Sequence, residues 1–145
     1  MEKSWKLHHA GVVVSDMDKA LEYYKSLGIA TFEPEVTVET NSFADIMSYG
    51  KPADLIKLKI KMIKIGPVTL ELIQPVEGES PQKEFLNSKG EGINHIAFTV
   101  DDLDKERTKL IEKGIPIMLA RKDQRVFAYL DTRKVGNVVI ELMQR

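Results

Sequence analysis

Two histidines and two glutamates hold matched places in two copies of one sequence unit. His9 opens the string His9-Ala-Gly-Val-Val-Val-Ser-Asp-Met-Asp-Lys19, and His95 opens His95-Ile-Ala-Phe-Thr-Val-Asp-Asp-Leu-Asp-Lys105. Each copy runs on to a Gly-Ile pair, Gly28-Ile29 and Gly114-Ile115, with the glycine 19 residues after the histidine. Each half closes on a second shared string, Val68-Thr-Leu-Glu71-Leu-Ile-Gln74 and Val138-Val-Ile-Glu141-Leu-Met-Gln144. Imidazoles and carboxylates in equal number suit a divalent cation such as Zn²⁺, Ni²⁺, Co²⁺ or Mn²⁺, and make one such site formally neutral. Octahedral coordination by these four leaves two positions for water or substrate oxygens. The chemistry is then polarisation of a carbonyl and stabilisation of an enolate. A lone histidine or glutamate on a strand is ordinarily solvated or locally hydrogen-bonded. Four of them falling in register in both repeats favour the metal.

His8 competes with His9 for the ligand role. Alignment of the repeats sets His9 on His95 and His8 on Asn94, and strand alternation turns His8 to the opposite face. His9 is therefore the expected ligand and His8 a rim residue. On the ligand face, Gly11 and Val13 accompany His9, and Ala97 and Thr99 accompany His95, so small residues leave room beside each imidazole. The other face, with Val12 and Val14 or with Ile96, Phe98 and Val100, is expected to pack on a helix.

These residues need elements to position them. Residues 7–14 and 94–100 read as strands. After the first, Ser15 offers an N-cap, Met17, Ala20, Leu21, Tyr24 and Leu27 follow at helical spacing, and Gly28 stops the helix. After the second, Asp101 or Asp102 caps a helix bearing Leu103, Leu110 and Ile111 that stops at Gly114. Strand-like runs follow, at roughly 31–38, 43–49, 57–65 and 67–74 in the first half and 115–120, 125–131 and 137–143 in the second. Ser80-Pro81 predicts a short linking helix through Leu86, ended by the Gly90-Glu-Gly92 segment. The expected class is α+β, built from two tandem βαβββ modules. The expected organisation is one domain over 1–145, with module 1 about 7–75, a linker helix about 80–90 and module 2 about 93–144. The first half is longer, and the extra residues are expected around Tyr49–Ile65.

Bulk composition narrows the function. A chain of 145 residues with 43% hydrophobic and 30% charged residues is expected to fold as a soluble protein. A net charge of −1 argues against general nucleic-acid binding. The absence of cysteine removes disulfides, thiolate metal sites and cysteine nucleophiles. No apolar run approaches membrane-spanning length, and a cytoplasmic location is the default expectation.

The residues resemble the vicinal oxygen chelate (glyoxalase/bleomycin resistance/dioxygenase) superfamily over nearly the whole chain, from Leu7 to Gln144. The middle looks most like methylmalonyl-CoA epimerase, through Leu70-Glu71-Leu-Ile-Gln-Pro75, Ser80-Pro81, Phe85-Leu86 and Gly90-Glu-Gly-Ile-Asn-His95-Ile-Ala-Phe98. The resemblance implies a glyoxalase-like fold with a curved, cleft-bearing mixed sheet, and metal ligands at His9, Glu71, His95 and Glu141. It implies a metal-dependent epimerase acting on an acyl-CoA through an enolate, and a homodimer. Epimerases often carry glutamine at the position matching Glu71, so the glutamate here leans toward a glyoxalase I-like lactoylglutathione lyase. A third reading is a small-molecule-binding protein of the resistance type.

Epimerisation removes a proton from one face of a carbon and returns it to the other, so two acid/base groups must flank that carbon. The resemblance places Asp45, in Phe43-Ala-Asp45-Ile-Met47, at the position of one proposed base, with Glu141 as the second. An exposed strand carboxylate is the equal alternative for Asp45. The run Phe127-Ala-Tyr129-Leu-Asp131-Thr132 departs from the epimerase pattern at the expected pocket. Lys57, Lys59 and Lys61 alternate with Leu58, Ile60 and Met62, which reads as an amphipathic strand with a solvated basic face; contact with a CoA phosphate is the sharper alternative. Arg121, Lys122 and Arg125 carry the same two readings. Trp5 is expected to pack near the terminus.

Overall fold

A computed structural model describes residues 4–39, 46–53, 55–121 and 126–145. The first module contains β1 (Lys6–Val13), α1 (Met17–Leu27), β2 (Thr31–Phe32), β3 (Val36–Glu39), β4 (Ile46–Ser48), β5 (Lys51–Pro52), β6 (Lys57–Ile65) and β7 (Val68–Glu77). Helix α2 (Pro81–Lys89) links it to the second, which contains β8 (Gly92–Val100), α3 (Leu103–Glu112), β9 (Ile117–Arg121), β10 (Phe127–Leu130) and β11 (Val139–Gln144). The strands form one sheet in the order β2-β6-β7-β1-β8-β11-β10-β9-β4-β5, with β3 also on β6.

The repeat in sequence becomes a repeat in topology. Strands β1 and β8 pair antiparallel at the centre, β7 lies parallel to β1, and β11 lies parallel to β8. Beyond them β6 and β10 run antiparallel to β7 and β11, and β2 and β9 complete the two halves. This is the α+β sheet expected from the sequence, mostly antiparallel, with α1 and α3 packed against it.

Alternation fixes which face each helix covers. Val12 and Val14 of the first module, with Leu70, Leu72 and Ile63, pack against Met17, Leu21 and Tyr24 of α1. Phe98 and Val100, with Ile140 and Leu142, pack against Leu103 and Leu110 of α3. Trp5 joins this second cluster, its ring 5.8 Å from that of Phe98. Leu27 and Ile111 lie at the exposed ends of their helical stripes.

Three details differ from expectation. Ser15 is not the cap of α1. Its N–H and hydroxyl both donate to Glu91, and Asp16 caps instead, its carboxylate accepting from the Lys19 amide. Asp102 does the same for Lys105 at α3, so the caps obey the repeat. Helix α2 continues to Lys89, three residues beyond Leu86, before Gly90 ends it. The third detail concerns the extra segment. Strand β6, which carries the lysine run, is not an insertion: it pairs with β7 as β10 pairs with β11. The extra element is the β4–β5 hairpin, which crosses over to pair with β9 at the edge of the other module. Tyr49 in its turn donates to Glu84 of α2 at 2.7 Å, and Arg133 also donates to Glu84, tying hairpin, linker and second module together.

A second reciprocal contact locks each helix to its own module. Gln74 at the end of β7 accepts from the Met17 amide at 2.8 Å, and Gln144 at the end of β11 accepts from the Leu103 amide at 2.8 Å. Each satisfies a first-turn N–H that no helical carbonyl can reach. Gln74→Leu and Gln144→Leu are each expected to lower stability by about 1 kcal/mol, as loss of a cap does. Because the two contacts share no partner, the double variant is expected to lose about the sum in urea denaturation.

Candidate metal centre

Two rows of residues cross the four central strands. In one, His9 of β1 lies opposite Ala97 of β8, which lies beside Glu141 of β11. In the other, Glu71 of β7 lies beside Gly11 of β1, which lies opposite His95 of β8. Each histidine is thus separated from a glutamate by one small residue on the strand between them. At Gly11 the reason is direct. A Cβ there would lie 1.9 Å from Cε1 of His95, so the imidazole occupies the space a side chain would fill.

The four side chains converge. His9 Nε2 lies 3.1 Å from His95 Nε2, 3.5 Å from Glu71 Oε2 and 3.4 Å from Glu141 Oε2. His95 Nε2 lies 3.7 Å from Glu71 Oε1 and 3.2 Å from Glu141 Oε2. Two ligand atoms about 2.1 Å from one ion lie roughly 3.0 Å apart when cis-octahedral and roughly 3.4 Å apart when tetrahedral. The donor set and its spacing therefore fit a divalent ion, and His9, Glu71 and His95 form a group able to hold one.

The residue before each histidine contacts its other nitrogen. His8 Nδ1 lies 2.7 Å from His9 Nδ1, and Asn94 Oδ1 lies 3.2 Å from His95 Nδ1. The Asn94 carbonyl oxygen can only accept, so His95 keeps its proton on Nδ1 and its lone pair on Nε2, toward the cluster. His8 is exposed, as a rim residue should be, yet it contacts the ligand directly. The alignment of His8 with Asn94 was visible in the repeat; their shared role was not.

The two carboxylates sit in unlike electrostatic settings. Burial raises the pKa of Glu71, and the charge of Glu141 adds to it, against the opposing pull of His9 and His95. Burial acts the same way on Glu141, but hydrogen bonds and charge interactions with His9 and His95 outweigh it and hold its pKa down at about 2. Burial alone would lower the pKa of His9; its hydrogen bond to Glu141 and the charges of Glu71 and Glu141 raise it instead. The same cluster thus moves the two carboxyl groups in opposite directions.

A cavity of about 280 Å³ opens on this cluster. Glu71, Glu141, Gln82 and Tyr129 line it on the polar side, and Ile46, Ile56, Leu58, Ile60, Leu119 and Phe127 are among its apolar walls. Tyr129 stacks edge-on to His95 with ring centres 5.0 Å apart. Burial and the nearby Glu141 and Glu71 raise its hydroxyl pKa well above the usual value, so it remains a donor. Gln82 escaped the sequence reading, and Tyr129 entered it only as part of the run Phe127–Thr132, with no role of its own. Strand alternation around Phe127 could have found the tyrosine, whereas nothing in the spacing singles out a glutamine in the first turn of a linker helix. Leu58 and Ile60 face the cavity, and Lys57 pairs with Glu39 at 3.3 Å. Asp45, Lys122 and Arg125 lie outside the described residues.

The comparisons agree with this geometry. A family model described as the Glyoxalase/Bleomycin resistance protein/Dioxygenase superfamily matches residues 8–135. The YqjC protein of Bacillus subtilis is 28% identical over 96% of this chain and 91% of its own length. The mitochondrial methylmalonyl-CoA epimerase of Bos taurus is 26% identical over 96% of this chain and 74% of its own. The crystal structure of methylmalonyl-CoA epimerase from Mycobacterium tuberculosis superposes with a TM-score of 0.67 at 22% identity, covering 95% of this chain and 86% of that one. With the paired modules and the match across both of them, the chain belongs to the glyoxalase/bleomycin resistance/dioxygenase superfamily.

Proposed function

We propose that this protein is a metal-dependent epimerase or isomerase that moves the α-proton of an acyl-CoA through an enolate. The observation that carries the reading is the convergence of His9, Glu71, His95 and Glu141 at 3.1–3.7 Å on the floor of a largely apolar cavity. The similarity to methylmalonyl-CoA epimerases supports it.

His9, Glu71, His95 and Glu141 would hold one divalent ion, of cobalt, nickel, zinc or manganese. Such an ion supplies Lewis acidity toward a carbonyl oxygen and toward the charge of an enolate. The remaining work belongs to the chain. The hydrophobic walls exclude water from the reacting carbon. Glu71 and Glu141 come from strands on opposite sides of the central β1–β8 pair, so proton acceptor and proton donor can address opposite faces of one carbon. Asp45, next in the chain to the cavity residue Ile46, is the alternative base. A glyoxalase I-like lyase is the second reading, favoured by the glutamate at position 71 with its raised pKa.

The metal is tested first. Purified protein is expected to bind about one divalent ion per chain, measured by elemental analysis after reconstitution; failure of the apoprotein to take up any ion would end this reading. His9→Ala is expected to abolish binding. His8→Ala and Asn94→Leu are expected to weaken it about 10- to 100-fold, as loss of a partner to a ligand imidazole does. A loss confined to His8→Ala would exchange the roles of the two histidines.

Gly11→Ala tests the packing that makes the site. It is expected to displace His95, destabilise the fold by about 1–3 kcal/mol and reduce metal affinity, read together by thermal denaturation and chelator competition. Unchanged affinity would mean that the His95 ring can move aside at no cost to the cluster.

Proton competition gives a pH signature. Metal binding requires a neutral His9, whose proton is held above the ordinary histidine range in the apoprotein. Apparent affinity is therefore expected to fall as pH drops through neutrality, about tenfold per unit for one displaced proton. An affinity flat from pH 8 to pH 6 would count against His9 as ligand. For the reaction, solvent deuterium is expected to enter the α-carbon of an acyl-CoA only with metal present. Asp45→Asn with full exchange and intact metal content would leave the proton transfer to Glu71 and Glu141.

A further inference from the structure

The cavity beside the metal centre is walled by hydrocarbon from both halves of the repeat. Ile56, Leu58 and Ile73 form a buried cluster in the first module, with Ile60 packed against it. Met118, Leu119, Tyr129 and Val139 form another in the second, with Ile46 and Phe127 packed against it. Members of both clusters line the cavity, Leu58 and Ile60 from the first and Ile46, Leu119 and Phe127 from the second, together with Glu71 and Glu141 of the metal centre. Ile46, Ile60 and Phe127 are only partly buried, so the walls keep apolar surface that a ligand can cover. Strand β6 sorts its residues by face. Leu58 and Ile60 line the cavity and Ile63 packs against α1, so alternation puts Lys59 and Lys61 on the α1 side with Ile63. The run that alternates lysine with apolar residues therefore turns its apolar members, not Lys59 and Lys61, toward the metal.

We propose that this cavity is a hydrocarbon subsite, so that the preferred substrate sets its oxygens on the metal and a short, uncharged, apolar chain between Ile60 and Phe127, which determine specificity. The inference rests on the metal-dependent reading above and names its substrate class. Covering apolar wall with apolar chain favours binding by about fourfold for each methylene removed from water. A second carboxylate on the substrate would instead leave its water shell for a wall of isoleucine, leucine and phenylalanine, which is costly without a partner. None of the described residues lining the cavity is basic. The volume of about 280 Å³ is at the small end of ligand pockets, which sets the chain short.

The test uses cobalt-loaded protein and three hydroxamates, whose two oxygens chelate a metal in the same way and whose tails differ. Acetohydroxamate has almost no tail, hexanohydroxamate has an apolar one, and glutaric monohydroxamate ends in a carboxylate where hexanohydroxamate ends in an ethyl group. Binding is measured by calorimetry and by the visible absorption of the bound cobalt. The wild type is expected to bind hexanohydroxamate at least about tenfold more tightly than either of the others, the scale of a few buried methylenes. In Ile60→Ser and in Phe127→Ser that preference is expected to fall at least about threefold. In Lys59→Ser, one residue away on the opposite face of the strand, it is expected to stay. Equal binding of the three probes to the wild type, tighter binding of the carboxylate-ended one, or a preference unchanged in the serine variants of both walls would overturn the subsite while leaving the metal centre standing. The wild-type comparison decides the matter even where a variant does not fold. Failure to take up cobalt would overturn the metal-dependent reading and this inference with it.

Discussion

The antiparallel pairing of β1 with β8 sets everything else at the centre of this molecule. It places His9 opposite Ala97 and His95 opposite Gly11, and the parallel partners on either side then deliver Glu141 and Glu71 to the same two rows. A shift of one residue in that pairing would leave His9 and His95 on opposite faces of the sheet, because side chains alternate along a strand. The register is held from the other face by Val12, Val14, Phe98 and Val100, which must meet α1 and α3. Burial of apolar surface on one side of the sheet thus secures the polar cluster on the other.

The symmetry of the backbone does not extend to the charges. Glu71 and Glu141 arrive by equivalent strands, yet one is pushed toward the protonated form and the other held ionised. The difference follows from their neighbours. Glu141 Oε2 lies 3.4 Å from His9 Nε2 and 3.2 Å from His95 Nε2, and the two imidazoles hold its pKa down; Glu71 has the histidine charges to offset its burial but also meets the charge of Glu141. A duplicated scaffold thus holds the same residue type in two unlike electrostatic settings.

Much of this was legible in the sequence because repetition is a strong signal. The four convergent residues, the strand-helix order and the paired glycines Gly28 and Gly114 can all be read by matching one half to the other. Ser15 misled because it is a good cap by type; a long-range contact with Glu91 takes its donors and leaves the role to Asp16. The extra segment misled because length alone cannot tell which stretch is added, and the β4–β5 hairpin finds its partner in β9, far along the chain. The seating of the His95 ring over Gly11, the approach of Asn94 to His95 and the entry of Gln82 into the cavity wall depend on side-chain directions that no spacing rule supplies.

The hairpin also bears on how the protein behaves at high concentration. Without it β9, a five-residue strand, would present a free ladder of N–H and C=O groups to any passing chain. With it, the outermost strand on that side is Lys51–Pro52, two residues long. Proline has no amide proton to offer, lysine carries a charge, and a ladder of two residues templates little. The opposite margin of the sheet is divided between the equally short β2 and the four-residue β3, both paired to β6. Both ends of a long sheet are thereby made poor seeds for fibrillar growth, and on one side the device is a hairpin contributed by the other half of the repeat.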